Sequence, residues 1–219
     1  MTRPEEANGP HYDWAGMMEA RARTRQAVAD IAARIEVGMD EADADRVARS
    51  VLKAGGLLRG WHGIYVRFGS NTLRFYGEPS QAGIRLGADD IFIVDIGPVW
   101  RKWEGDAGDT FVTGRDPDMA RARDDVRVLF DATAAHWREH RATGQALYAF
   151  AEARAAAMGW RLNLELGGHR LSDFPHALIH RGGLKDAGFY PVARAWVLEM
   201  HIRHPERRFG AFYEDLLLD

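Results

Sequence analysis

The sequence predicts an α+β fold, and three observations predict it. Two helical stretches precede a run of strand-like segments, and two more sit in mid-chain. The strand-like segments have period two or are short apolar runs bounded by turn residues, as antiparallel strands require. The two kinds alternate in mixed order without a repeat, a low-complexity segment or a linker, which points to one unit. Residues 1–13 are expected to be a flexible N-terminal tail and 14–219 a single folded domain.

Taken in order, the first helix is expected from Trp14 to about Val37, where Ala27, Ile31 and Ile35 recur at helical spacing and Gly38 stops the run. Asp40 can cap a second helix, Glu41 to Lys53, ended by Gly55-Gly56. Ile64, Val66 and Phe68 then alternate with Tyr65 and Arg67, a half-buried strand. A turn at Gly69-Ser70-Asn71 leads to an expected short strand over Leu73–Tyr76. The apolar run Ile91–Ile96 reads as a central strand, with Thr110–Thr113 as its hairpin partner. Asp116-Pro117-Asp118 opens a long helix to about Arg141, and another helix follows from Gln145 to Met158. Strands are expected at Arg161–Glu165, Arg194–Arg203 and Phe212–Leu218.

The 219 residues are 46% hydrophobic, enough for a sizeable core, and carry a formal charge of −3. No bulk field draws the chain to nucleic acid or to anionic lipid. There is no cysteine, which excludes disulfides and thiolate metal sites, so any metal must be held by His and carboxylate. The polar start lacks a signal-peptide pattern, and no apolar run approaches the roughly 18 residues of a membrane span. A cytoplasmic enzyme is the expectation.

The carboxylates within strands carry the functional signal. Asp95 ends a buried strand, where a charge must find a partner. Backbone amides at the strand end could provide that partner, and so could a cation. Asp106 lies eleven residues on, across a turn region, and a hairpin can set the two side by side. Two bare carboxylates that close repel, and a divalent cation removes the conflict. In Trp196–Ile202 one face is Trp196, Leu198, Met200 and Ile202, while Val197, Glu199 and His201 form the other. Glu214 sits in an apolar final strand. Either glutamate alone reads as a solvated strand residue; four carboxylates in four strands read as a site. His169 and His176 are seven residues apart beside Gly167-Gly168, where the backbone can approach closely. His11, His62, His136, His140, His180 and His204 are read as structural or solvated.

This order of residues resembles the pita-bread metallopeptidases, the family of methionine aminopeptidases, Xaa-Pro aminopeptidases, prolidases and creatinase. Val94-Asp95-Ile96-Gly97 looks like its Asp-x-Gly strand, Gly105–Phe111 like its second aspartate strand, and Gly168-His169 like its Gly-His segment. Leu198-Glu199 and Tyr213-Glu214-Asp215 look like its glutamate strands, and Arg34–Glu41 like its turn between helices. The resemblance covers about residues 17–219 and implies pseudo-symmetric halves around a curved antiparallel sheet flanked by helices. It implies two divalent ions on Asp95, Asp106, His169, Glu199 and Glu214, with Asp95 and Glu214 as bridges. The oxygen-rich donor set favours Mn, Fe or Co, with Zn also compatible. The implied reaction is hydrolysis of an amide or peptide C–N bond, with Glu199 shuttling a proton and His176 donating to the oxyanion.

The departures cluster around the substrate. Five residues after Asn71, where the family carries a histidine, this chain has Tyr76. Ala177 stands where a glutamate is frequent, Met200-His201 where Pro-Gly is, and Gly108-Asp109-Thr110 where Thr-Arg-Thr is. Tyr76, His176 and His201 are therefore expected to line an atypical pocket. A non-peptidase enzyme acting on a small metabolite, by hydrolysis or metal-dependent redox chemistry, is the alternative. A metal-free binding module is a weaker third. The expected partner is a small molecule or short peptide, with no nucleic acid or membrane, and the seven Trp leave room for a homodimer surface.

Overall fold

The computed structural model describes residues 3–176 and 180–219. Helix α1, Trp14–Ala32, starts on the Asp13 carboxylate, which accepts from the Gly16 amide. It ends earlier than its periodicity suggests. Ile35 still packs onto the core, but after the chain has turned toward Gly38, whose φ of 92° suits glycine. Helix α2, Glu41–Ala54, opens with reciprocal bonds between Asp40 and Asp43, satisfying two amides that a helix start leaves free.

Strand β1, Gly60–Phe68, is followed by a 3-10 turn over Gly69–Leu73. The strand expected at Leu73–Tyr76 does not form. Asn71 is buried and pins this stretch: its amide donates to Glu41 Oε1 and to the Gln81 carbonyl, and its oxygen accepts from the Gln81 amide. Side-chain bonding replaces ladder bonding there. The hairpin strands β2 (Asp90–Trp100), β3 (Trp103–Glu104) and β4 (Ala107–Thr113) come next. Helices α3 (Pro117–His140) and α4 (Gly144–Ala157) follow. The remaining strands are β5 (Arg161–Leu162), β6 (His169–Arg170), β7 (Trp196–Arg203) and β8 (Gly210–Leu216). The expected 161–165 strand is thus shortened, and β6 was not anticipated.

Among the described residues the strands form one antiparallel sheet in the order β1-β2-β4-β8-β7-β5, with β3 on β2 and β6 on β7. Each half contributes two helices and its own strands, and the halves meet where β4 pairs β8 at Gly108 and Glu214. Helices α1 and α2 cover β1, β2 and β4 through Val28, Ile31, Leu52, Phe68, Val94 and Ile96. Helices α3 and α4 cover β7 and β8 through Leu129, Trp137, Leu147, Trp196, Leu198 and Ile202. Strand alternation then turns Asp95, Glu199 and Glu214 to the opposite, concave face.

Residues 3–13, expected as a flexible tail, bond to the body of the protein. Glu6 accepts from the Val192 amide, the His11 amide donates to Asp173, and Arg170 donates to the Ala7 carbonyl and to Asn8. No helix among the described residues is long and apolar enough to cross a membrane.

Candidate metal centre

A cavity of about 400 Å³ opens on the concave face, and Asp95, Asp106, His169, Glu199 and Glu214 all line it. Each reaches it from a different piece of the sheet. Asp95 comes from β2, Asp106 from the residue before β4, His169 from β6, Glu199 from β7 and Glu214 from β8. Glu199 and Glu214 are paired across β7 and β8, and Asp95 lies opposite Gly108, itself the partner of Glu214. Gly108 has to be small, because a Cβ there would lie 2.3 Å from the Phe212 ring and 2.9 Å from Glu214 Oε1.

His169 Nε2 lies 2.7 Å from Asp106 and 3.5 Å from Glu199. Its Nδ1 is 2.9 Å from the Arg170 carbonyl, which can only accept, so Nδ1 carries hydrogen and Nε2 faces the acids. Glu199 is oriented by the Gly168 amide, which donates to Oε2 at 3.0 Å. His176 lies beside this group with its ring 5.9 Å from that of His169.

One residue at the centre was misjudged from sequence. His62, read as structural or solvated, comes from β1 with its side chain only 5% exposed, and its Nε2 lies 3.0 Å from Asp106 and 3.7 Å from Asp95. The Gly63 carbonyl takes its Nδ1 hydrogen, which aims Nε2 at the acids, as in His169. Gly97 leaves the room His62 needs, since a Cβ there would fall 2.0 Å from the His62 ring. Gly97→Ala should push His62 off Asp106 and weaken metal binding by about 10- to 100-fold, as loss of an orienting partner does. Titration calorimetry checks this; unchanged affinity would remove His62 from the centre.

Tyr76 and His62 both border the acids' cavity, and of the two it is His62 whose ring nitrogen reaches Asp106. Tyr76 stands at the cavity rim, 56% exposed, with its ring 6.0 Å from that of His62. His201, expected to bind substrate, lines the wall but has no nitrogen to offer. Its Nε2–H donates to the Thr72 carbonyl at 2.8 Å and its Nδ1 accepts from Asn163 at 3.0 Å. Burial pushes its pKa down to about 4 and keeps it neutral. Ala177 lies outside the described residues.

Glu104 is a second residue that sequence reasoning did not reach. Its buried carboxylate accepts from the His176 amide at 2.8 Å, from His176 Nδ1 at 2.7 Å and from the Ser172 amide at 3.1 Å. It sits two residues before Asp106, and only the β3 hairpin brings it under His176.

The electrostatics show what the acids need. Burial pushes Asp95 up to about 7. Burial also drives Glu214 well above the carboxylate range, and the charges of Asp106, Asp95 and Glu199 drive it further. Burial raises Glu199 too, against the opposing pull of His169. At Asp106 burial is outweighed by hydrogen bonds from His169 and His62, which hold it near 2. Both histidines resist burial through Asp106 and rise to about 9. Without a cation, then, protons and imidazolium charges fill the site. Glu214 Oε1 is buried with no hydrogen-bond partner among the described residues, an acceptor that a cation would satisfy.

Two sets of ligand atoms lie within 4.8 Å of one another: His62, Asp95 and Asp106, and Asp106, His169 and Glu214. Asp106 belongs to both sets, while Asp95 and Glu214, the expected bridges, each belong to one. A donor set of carboxylates and imidazoles fits divalent metal ions.

The model of metallopeptidase family M24 matches residues 15–217. The chain belongs to metallopeptidase family M24. A search of curated proteins returned no match. Among solved structures, the M24 chain is similar to methionine aminopeptidase from Thermotoga maritima, at 13% identity and TM-score 0.72, with 99% of both chains covered. It is similar to prolidase from Pyrococcus furiosus at 14% identity and TM-score 0.76, covering 97% of this chain and 62% of that one. A dipeptidase from Mycobacterium ulcerans matches at 22% identity and TM-score 0.69, over 92% of this chain and 54% of that one. The chain spans about 60% of the length of the prolidases it matches. Its fold is the pita-bread fold of these M24 neighbours, an open antiparallel sheet flanked by helices.

Proposed function

We propose that this M24 chain is a dinuclear-metal-dependent hydrolase of amide or peptide C–N bonds, aminopeptidase-like, with Mn, Fe or Co as the favoured metal. The observation that carries the reading is Asp106, common to two sets of candidate ligands in the wall of the cavity. Asp95, Asp106, His169, Glu199 and Glu214 would hold the ions, with His62 as an additional donor. Bound there, the ions would supply Lewis acidity toward a scissile carbonyl.

The chain's own groups do the rest. Glu199, fixed at Oε2 by the Gly168 amide, is placed to take a proton from the attacking water and deliver it to the leaving nitrogen. His176, with Nδ1 held by Glu104, keeps Nε2 for the cavity, where it donates to the developing oxyanion. The Trp61 ring lies 4.5–5.1 Å from the rings of His62, His169 and His176 and walls the acids from bulk water. Tyr76 at the rim helps to select substrate. Its presence there, in place of the family's histidine, favours a small-metabolite amide as the second reading.

Elemental analysis after mild purification, followed by panels of short peptides and small amides, tests the proposal. About two ions per chain and cleavage in one panel are expected. A protein that stays metal-free with Mn, Fe, Co and Zn all supplied sinks it. Glu104→Gln should lower the rate by about 10²-fold, the scale of one proton-transfer partner, by releasing the His176 tautomer. The nitrogen NMR shifts of His176 should move with it, a change that a purely structural role would not cause.

A further inference from the structure

The cavity holds a buried charge that the chemistry above does not use. Arg67 lies on β1 opposite Ile93, two pairs along from Tyr65 and Asp95, and so points to the cavity face. Its alternation with Ile64, Val66 and Phe68 suggests a solvated arginine, yet it is 4% exposed and lines the cavity. Nη2 donates to the main-chain carbonyls of Phe75 and Glu78 at 3.1 and 2.8 Å. Nη1 is buried with no partner, and no carboxylate forms an ion pair with this guanidinium among the described residues. The acids whose charges reach it are otherwise engaged. Asp95 belongs to the metal cluster, Glu41 accepts from the Phe68 amide and Asn71, and Glu78 accepts from the Phe75 amide.

An arginine is always cationic, and one buried without a counter-ion is unfavourable unless something supplies the missing charge. Around it the cavity is aromatic and apolar, with Tyr65, Phe75, Ile93 and Phe212. The two carbonyls fix the guanidinium plane, so the fork is already oriented before any ligand arrives.

We infer that Arg67 is a specificity determinant that receives a carboxylate of the substrate, making the protein selective for acidic substrates. This rests on the hydrolase reading for its reaction but not for its binding. A monoanion neutralises Arg67, whereas a dianion such as phosphate would leave excess negative charge facing Asp95 and Glu199. The carboxylate sits on an acidic leading side chain or on the chain end of a dipeptide.

The test uses the full chain with manganese supplied. Calorimetric titration compares L-glutamate with L-glutamine, which differ in one charged group, and reads binding without turnover. Hydrolysis compares Glu-Ala-amide with Gln-Ala-amide, and Ala-Ala with Ala-Ala-amide. A preference of about 10- to 100-fold for the carboxylate is expected, the scale of a charged hydrogen bond. In the first two comparisons it assigns the carboxylate to the side chain, and in the last to the chain end. Arg67→Met should bring the ratio close to one, while Arg74→Ala, at the rim, should leave it in place. Ratios near one in every comparison overturn the inference. So does a preference that survives Arg67→Met or disappears in Arg74→Ala, and the second variant keeps the test decisive if the first does not fold. A glutamate preference without hydrolysis of any substrate upholds Arg67 and removes the hydrolase reading instead.

Discussion

Asp106→Ala is expected to empty both metal positions at once, and with them the activity. Asp106 is the one residue common to both ligand sets, it is 2% exposed, and it anchors His62 and His169 through their Nε2 atoms. Its loss takes a ligand from each ion and releases two imidazoles from their oriented positions. Several kcal/mol of transition-state stabilisation come from such ions, which at ~1.4 kcal/mol per decade is about 10³-fold or more in rate. Asp95→Ala should be milder in metal content, because Asp95 belongs to one set only. Elemental analysis of the two variants beside wild type separates them. Two ions retained by Asp106→Ala would refute a shared carboxylate.

The second large effect is on stability. Chelation should lower the melting temperature markedly, because the acids then face one another without a cation. At metal concentrations about 1,000 times the dissociation constant, binding adds about 4 kcal/mol. For a chain of this size that corresponds to roughly 8–16 °C. The gap should widen with pH. In the metal-free protein His62 and His169 titrate near 9, above the ordinary histidine value of 6.5. Their contribution to folding is complete below 6.5 and disappears as pH rises through 9. Asp95, raised to about 7, binds a proton more tightly folded than unfolded, so its ionisation up to pH 7 also weakens the metal-free fold. A cation competes with these same protons and binds more tightly as they leave. Melting curves with chelator and with manganese, at pH 6, 7, 8 and 9, check both points. Curves that coincide at every pH would exclude a metal centre at these acids.

How much of this was legible beforehand can be traced residue by residue. Asp95, Glu199 and Glu214 announced themselves because a carboxylate inside an apolar strand violates the ordinary pattern, and period two told which face each would take. The starts of α2 and α3 were equally readable, since capping is a local bond between near neighbours. His62 carried no such anomaly. It follows Trp61 at the mouth of a strand, and nothing in its neighbourhood distinguishes it from a solvated histidine. Tyr76, reached by counting from Asn71, lines the same cavity, but from a stretch where a turn that Asn71 holds in place replaces the expected strand.

The sequence by itself determined the fold class and singled out Asp95, Asp106, Glu199 and Glu214 as acids in need of a partner. Both follow from periodicity and from the free energy of burying charge, which act over a few residues. Only the tertiary structure decided that Asp106 meets both His62 and His169, that Glu104 holds His176, and that Arg67 is buried without a counter-ion. Those facts depend on which strands become neighbours, through pairings such as Gly108 with Glu214 and the approach of Glu104 to Ser172 and His176. Contacts between residues so far apart in the chain are set by packing of the whole sheet, and no local pattern records them.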